Sequence, residues 1–263
     1  MIVRMASHDN TAPLVLVTGG SRGIGAATAL LAAERGWDVA INYTRDAAAA
    51  DAVAAGVRER GRRAIVLQAD VAHDEQVCAM FERLDRASAE GGVGRLRGLV
   101  NSAGVVDVAQ RVDEMSAARL QRMFAVNVLG SFACAREALR RLSARHRGAG
   151  GAIVNLSSAA SRLGSPGQYV DYAASKAAID TFTIGLAREV AAEGVRVNAV
   201  RPGIVETDIH ASGGQPDRAR QLAPQIPMGR AGTADEVAHS IVWLLSDEAS
   251  YCTGALLDVS GGR

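Results

Sequence analysis

The amino-acid sequence predicts a doubly wound α/β fold, a seven-stranded parallel sheet with helices on both faces. Three observations carry that expectation. Short apolar runs alternate with helix-length periodic segments from Leu14 almost to the end of the 263-residue chain. No linker rich in Pro, Ser or Gly separates them, so residues 14–263 read as one domain behind a short flexible tail, 1–13. The glycine-rich and polar clusters fall at the carboxyl ends of the apolar runs, where open α/β sheets bind their ligands.

The elements follow in order. Leu14 to Thr18 is an apolar run that opens into a glycine-rich turn, and Ile24 to Arg35 has helical periodicity ended by Gly36. Asp38 to Tyr43 reads as the second strand, Ala47 to Arg60 as an alanine-rich helix stopped by Gly61, and Ala64 to Gln68 as the third strand. A helix from His73 to Ala89 carries Asp74 and Glu75 in its first turn, which suits the positive end of a helix dipole. Leu96 to Val100 is the fourth strand, and Ser116 to about Arg145 one long helix. The basic, glycine-rich stretch after Arg145 reads as a solvated loop. Ile153 to Leu156, Val195 to Val200 and Ala255 to Val259 complete the strands, with helices at Val170 to Ala192 and Thr233 to Leu245 between them. Parallel pairing requires right-handed crossovers, and these place helices on both faces.

Composition narrows the function classes. A net charge of +1 gives no electrostatic pull towards nucleic acid or anionic lipid. The 48% hydrophobic but only 4% aromatic content implies a core of Ala, Val, Leu and Ile. Three widely spaced cysteines, without a CxxC pair, fit neither a disulfide framework nor a metal site, and suit a reducing compartment. No stretch approaches the roughly 18 apolar residues of a membrane span, and the polar start lacks a signal peptide's apolar segment. A cytoplasmic protein is expected, with no metal. One count is unusual: of 29 Lys and Arg residues, Lys176 alone is lysine. Lysine offers a compact ammonium on a flexible stem that an arginine cannot reproduce, which marks Lys176 for a specific role.

Thr18-Gly-Gly-Ser-Arg-Gly-Ile-Gly25 joins the first strand to the first helix. Glycines there let the backbone approach a pyrophosphate, while the helix start supplies free N–H groups and positive potential. Gly19, Ser21, Arg22, Gly23, Ile24 and Gly25 are therefore candidate contacts for a dinucleotide. The second strand ends in Tyr43, Thr44 and Arg45, without the carboxylate that would bind adenosine ribose hydroxyls and repel a 2′-phosphate. Arg45 and Arg22 together suit that phosphate, so NADP(H) is expected over NAD(H). Asp70 and Val71 follow the third strand as candidate adenine contacts, with a helix cap as the competing role for Asp70. Asn101, Ala103 and Gly104 close the fourth strand where a cofactor would lie along the backbone.

Tyr172 and Lys176 stand one helical turn apart on one face. A phenol titrating near 10 is a poor acid or base at neutral pH, and a neighbouring ammonium is expected to lower that value. Ser157 and Ser158 end the preceding strand.

The chain resembles the short-chain dehydrogenase/reductase family over residues 14–261, through TGGSRGIG at 18–25, NSAG at 101–104, Asn127, Ser158, YAASK at 172–176, RPG at 201–203 and the terminal LDVSGG. The stretch around Tyr172 is similar to the glucose-1-dehydrogenase-like and 3-oxoacyl-carrier-protein-reductase-like members. The resemblance implies a Rossmann fold and a hydride transfer between a nicotinamide cofactor and a carbonyl or secondary alcohol. It implies that Tyr172 exchanges a proton with the substrate oxygen, that Ser158 binds that oxygen, and that Lys176 holds the nicotinamide ribose. Asn127 would hold a relay water, and Pro202, Gly203, Ile204 and Thr207 would contact the nicotinamide end. A homotetramer is implied as well, using the helices at 116–145 and 170–192 and the last strand. Two departures stand out: Ser102 replaces the family's usual Asn, and the interval from Ser158 to Tyr172 is one residue longer than the family's commonest spacing, so either Ser157 takes the catalytic place or the loop 161–167 absorbs the excess.

Substrate choice is expected in a lid-like segment, about 206–230, with Ile204, Ile209, His210, Met228 and Gln168 as candidate lining groups. No arginine cluster in the sequence marks an acidic substrate. A 3-oxoacyl thioester reductase is the alternative enzyme, and a non-catalytic dinucleotide-binding regulator the remote one.

Overall fold

The computed structural model of the protein describes residues 12–209 and 213–263. The expected tail, 1–13, lies outside them except for Ala12 and Pro13, and His210 lies outside as well. Seven strands, β1 (Leu14–Thr18), β2 (Asp38–Tyr43), β3 (Ala64–Gln68), β4 (Leu96–Asn101), β5 (Gly151–Leu156), β6 (Val195–Pro202) and β7 (Leu256–Val259), form one sheet in the order β3-β2-β1-β4-β5-β6-β7. Every pairing is parallel. The chain runs outwards from β1 in one direction and then, from β4, in the other. Between those two strands the crossovers diverge, opening a crevice at the carboxyl edge.

The period-2 alternation of β1 divides its side chains between two apolar layers. Val15 and Val17 pack in one layer with Ala29 and Ala32 of α1 (Gly23–Glu34), Ala54 of α2 (Ala47–Glu59) and Ile241 of a C-terminal helix (Ala234–Leu245). Leu14 and Leu16 join the other, with Phe81 of α3 (Asp74–Ala89), Ala138 of a helix at Gly130–Leu142 and Leu186 of one at Val170–Val190. The alanines of α1 and α2 let those helices lie close on the sheet, which is how a core so poor in aromatics fills its space.

The expected helix from Ser116 to about Arg145 runs without a break from Ala117 to Leu142, but it is not α-helical throughout. It comprises α4 (Ala117–Phe124), a π-helical turn at Ala125–Leu129, and α5 (Gly130–Leu142). Ser116 caps α4 by accepting the Arg119 N–H at 3.2 Å. The wide turn inserts one extra residue per turn, a feature that concentrates at functional sites, and it carries Asn127. Gly130 follows because a Cβ there would stand 2.8 Å from Val71 Cγ2. Two short helices, α6 (Ala160–Leu163) and α8 (Arg218–Leu222), were not expected from the sequence, and they flank α7 (Val170–Val190) in chain order; α9 is Ala234–Leu245.

A candidate active site at the carboxyl edge of the sheet

A cleft of about 1290 Å3 opens at the carboxyl ends of the strands. Its wall includes the whole expected glycine turn (Gly19, Ser21, Arg22, Gly23, Ile24, Gly25), then Tyr43, Thr44 and Arg45, then Asp70 and Val71. Ala103, Gly104, Ser158, Tyr172, Lys176, Pro202, Gly203, Ile204 and Thr207 line it too, as does Ile209. Asn101 and Asn127 do not face it: both are buried, at 3% and 1% exposure. Gln168 and Met228 stand outside the wall.

The turn between β1 and α1 is packed so closely that glycine is required. At Gly19, where φ is +62°, a Cβ would lie 2.9 Å from Ala103 Cα, and at Gly25 it would overlap the Gly19 carbonyl oxygen. Two buried side chains hold this shape. Asn42 of β2 accepts the Gly19 N–H at 3.2 Å and donates to the Leu67 and Ala69 carbonyls at 3.2 and 3.0 Å, joining the turn to the end of β3. Thr18 Oγ1 accepts the N–H groups of Ser102 and Ala103 at 3.0 and 3.1 Å. Neither Asn42 nor Thr18 carried a role in the sequence reading, because each acts through contacts between strands. The first turn of α1 has no acidic residue and no side-chain cap, leaving its N–H groups directed at the cleft. Such a turn suits a dinucleotide pyrophosphate.

Arg22 and Arg45 are exposed at the same end, and neither pairs with a carboxylate among the described residues. The nearest acid in sequence, Asp46, caps α2 by accepting the Ala49 N–H at 2.9 Å. Asp70 accepts the Ala72 N–H at 3.0 Å, a turn role rather than a cap of α3, whose N-cap is His73.

Tyr172 and Lys176 rise on consecutive turns of α7. The Ser158 hydroxyl stands with the Tyr172 phenol in the cleft and pulls its pKa down, and its Oγ accepts the Ala160 N–H at 3.1 Å. Ser157 points the other way and donates to the Lys176 carbonyl at 3.1 Å. Ser158, not Ser157, therefore stands with the tyrosine. Between Ser158 and Tyr172 the chain turns after α6, where Gly164, Ser165 and Gly167 all adopt positive φ, at 71°, 47° and 71°. Lys176 is 5% exposed; its Nζ donates to the Leu156 carbonyl at 2.7 Å and lies 5.7 Å from the Tyr172 ring centroid.

The electrostatics correct one expectation. Burial of the phenol deep in the cleft pushes the Tyr172 pKa above its ordinary value, against the pull of the Ser158 hydrogen bond. The Lys176 ammonium, 5.7 Å from the ring centroid and bound to the Leu156 carbonyl, does not bring the phenol below its ordinary value. Burial brings Lys176 down to about 8, opposed by the Asp180 carboxylate.

Asn127 is a brace. Its amide accepts the Val105 N–H at 2.8 Å and donates to the Val105 carbonyl at 3.0 Å and to Ser175 Oγ at 3.1 Å. Ser175 in turn donates to the Tyr172 carbonyl at 2.7 Å. The π turn thus ties the segment after β4 to the turn of α7 that bears the tyrosine. Asn101 similarly spans β4 and β5, donating to Asn155 Oδ1 at 2.9 Å.

Two arginines escaped the sequence reading. Arg119 of α4 forms a buried two-pronged pair with Asp171, the residue before Tyr172, at 2.8 and 3.2 Å. It also donates to the Val108 carbonyl at 2.7 Å and Gln110 Oε1 at 3.1 Å. Arg218 of α8 lies over the Tyr169 ring, 5.0 Å from its centroid, and both line the cleft. Each pairing joins distant segments and leaves no local pattern.

Among the described residues no helix is long and apolar enough to cross a membrane, and no group of three or more His, Cys, Asp or Glu could hold a metal ion. Residues 19–263 match the family model described as enoyl-(acyl carrier protein) reductase. The chain is 53% identical to an uncharacterized oxidoreductase of Escherichia coli K12, YgfF, over 95% of this chain and 99% of that one. It is 40% identical to the cis-4-hydroxycyclohexanecarboxylate dehydrogenase of Sinomonas cyclohexanicum, covering 95% of each. Among solved structures, a short chain dehydrogenase from Burkholderia cenocepacia in complex with NADP is similar at a TM-score of 0.85, with 36% identity over 96% of this chain and 97% of that one.

Proposed function

The chain belongs to the short-chain dehydrogenase/reductase family, whose members are oxidoreductases acting on CH–OH and C=O groups, and on that premise we propose that it moves hydride between NADP(H) and a carbonyl or secondary alcohol through Ser158, Tyr172 and Lys176. The observation that carries this reading is the meeting of the Ser158 hydroxyl and the Tyr172 phenol, with Lys176 one turn below, in the cleft that also contains the glycine turn.

When bound, the nicotinamide supplies or accepts the hydride. The glycine turn and the start of α1 hold the pyrophosphate, and Pro202, Gly203, Ile204 and Thr207 bound the nicotinamide end. Tyr172 passes its phenolic proton to the substrate oxygen in reduction and takes it back in oxidation. Ser158 donates a hydrogen bond to the same oxygen and stabilises charge developing there. Lys176 holds ribose hydroxyls and, with a pKa near 8, can give up or take a proton at neutral pH. Asn127 keeps this arrangement in register. The unpaired Arg22 and Arg45 favour NADP(H), supported by the NADP complex of the similar Burkholderia protein. Exposed Leu129 and Phe132 on α5 and its preceding turn, with Trp243 on α9, suit the faces of a homotetramer. Three unpaired cysteines suit a reducing, cytoplasmic setting.

The test is NADPH and NADH oxidation over ketones, aldehydes, diketones and an acetoacetyl thioester, with sugars in the reverse direction and Tyr172→Phe as the blank. Turnover with NADPH that disappears in the variant is expected. Equal rates in parent and variant would refute the role of Tyr172, and preference for NADH would refute that of the arginines.

A further inference from the structure

We propose that the substrate carries a carboxylate, bound by Arg218, so that the protein interconverts oxo acids and hydroxy acids; this rests on the reading of Tyr172 and Ser158 as the reacting pair. Tyr169 is the N-cap of α7, buried to 6% exposure, and stands one helical turn before Tyr172. One turn is about 5 Å along the axis. The Arg218 guanidinium over the Tyr169 ring therefore belongs to the wall of the cleft that also holds Tyr172 and Ser158.

The guanidinium is held in place. Stacking occupies its face, and Nη1 donates to Gln215 Oε1 at 2.6 Å. No carboxylate pairs with it among the described residues, and its remaining N–H groups form a rigid edge of the kind that binds a planar carboxylate by two parallel hydrogen bonds. The other charges of the wall do not compete. Asp208 already has a partner of its own, and Arg122 is paired with Asp107 at 3.4 Å. A second observation points the same way: Arg263 also lines the cleft, and its Nη1 is buried without an acceptor. A buried N–H in that state favours an anionic acceptor over a neutral hydrocarbon. Leu163, Ile204 and Ile209 supply apolar wall for the body of the molecule.

The chemistry balances as an ordinary two-electron reduction. The carbonyl carbon of the oxo acid gains a hydride and its oxygen gains the Tyr172 proton, giving the hydroxy acid, while the reduced dinucleotide is oxidised. The carboxylate is unchanged and serves only to hold the substrate.

The experiment compares oxo acids with their neutral methyl esters, using 4-oxopentanoate, 5-oxohexanoate and 3-oxocyclohexanecarboxylate with purified protein and NADPH. A charge-assisted pair is expected to raise kcat/KM for acids over esters by about tenfold or more. In Arg218→Gln that ratio should fall to near one through KM, with Arg218→Lys intermediate and the NADPH Kd of both variants equal to the parent's. Equal kcat/KM for acid and ester in the parent, or an unchanged ratio in Arg218→Gln, would overturn the proposal. If nothing in the panel turns over, binding of the three acids to the NADPH-loaded protein is measured by calorimetry, and no binding also overturns it. Failure to bind NADPH at all would instead overturn the underlying functional reading.

Discussion

Replacing Arg119 with methionine removes four hydrogen bonds while roughly keeping the side chain's length. Two of these go to Asp171, whose side chain is fully buried, and the Arg119 side chain is itself only 6% exposed. The other two hold the Val108 carbonyl and Gln110. The variant therefore leaves an unpaired carboxylate in the interior beside Tyr172. Breaking a buried pair on one side costs about 3–5 kcal/mol, equivalent to a fall in Tm of roughly 6–20 °C for a chain near this size. Urea unfolding at one fixed protein concentration measures the loss directly, since any oligomer would make stability depend on concentration. The double variant Arg119→Met/Asp171→Leu removes the stranded charge and should recover most of the deficit. Because the pair anchors the residue preceding Tyr172, Arg119→Met should also lower kcat more than it weakens NADPH binding. A loss below about 1 kcal/mol, the range of an exposed ion pair, would refute this account of the clamp.

Other outcomes follow from the same geometry. Gly25→Ala forces a Cβ against the Gly19 carbonyl oxygen, so NADPH binding measured by fluorescence titration should weaken by roughly tenfold or more; an unchanged Kd would refute the close-packed turn. Arg45→Asp should shift the NADPH-to-NADH preference towards NADH by about tenfold or more, read from kcat/KM with each cofactor. Burial holds Lys176 at about 8, so the folded state disfavours its charge below that pH, and the penalty fades as pH rises towards about 10.4, the unfolded value. Between pH 7 and pH 10 the parent should therefore gain roughly 2–3 kcal/mol relative to Lys176→Met, and identical differences at both pH values would refute the desolvation. Asp38 is buried, which alone would raise its pKa, but N–H groups of Arg63 and Gly94 and the Arg63 guanidinium outweigh that and hold it below the ordinary carboxylate value. Its stabilisation is present above about pH 4 and lost as pH falls through the depressed folded value. Asp38→Asn should lower stability at pH 7 and narrow its gap to the parent on acidification.

The strands were legible because each is an apolar run bounded by turn residues. β1, β2 and β3 begin and end where the pattern of Leu14–Thr18, Asp38–Tyr43 and Ala64–Gln68 places them. The long helix over 117–142 was legible, but the π turn inside it was not: it changes the hydrogen-bond step, and nothing in AVNVL announces it. Most of the cleft wall could be read from position alone, at strand carboxyl ends. Asn101 and Asn127 could not be placed that way, since whether an amide faces a cleft or braces two segments depends on partners far along the chain. The Tyr172 pKa was misread for a related reason. Spacing puts Lys176 on the same face as the tyrosine, but not the Leu156 carbonyl that takes up its ammonium, nor the depth at which both groups are desolvated. Arg119 and Arg218 were invisible as single residues in a chain rich in arginine.

A lysine-poor surface has a practical meaning for chemical labelling. The only lysine ammonium of the chain is 5% exposed at the base of the cleft, so the folded surface offers no lysine to acylating reagents. Apart from the terminal amine, an amine-directed probe has one address, and reaching it requires entry through the cleft. Acylation at Lys176 would thus be a clean reporter of access, with cofactor protection read as a single mass shift that no surface lysine can obscure.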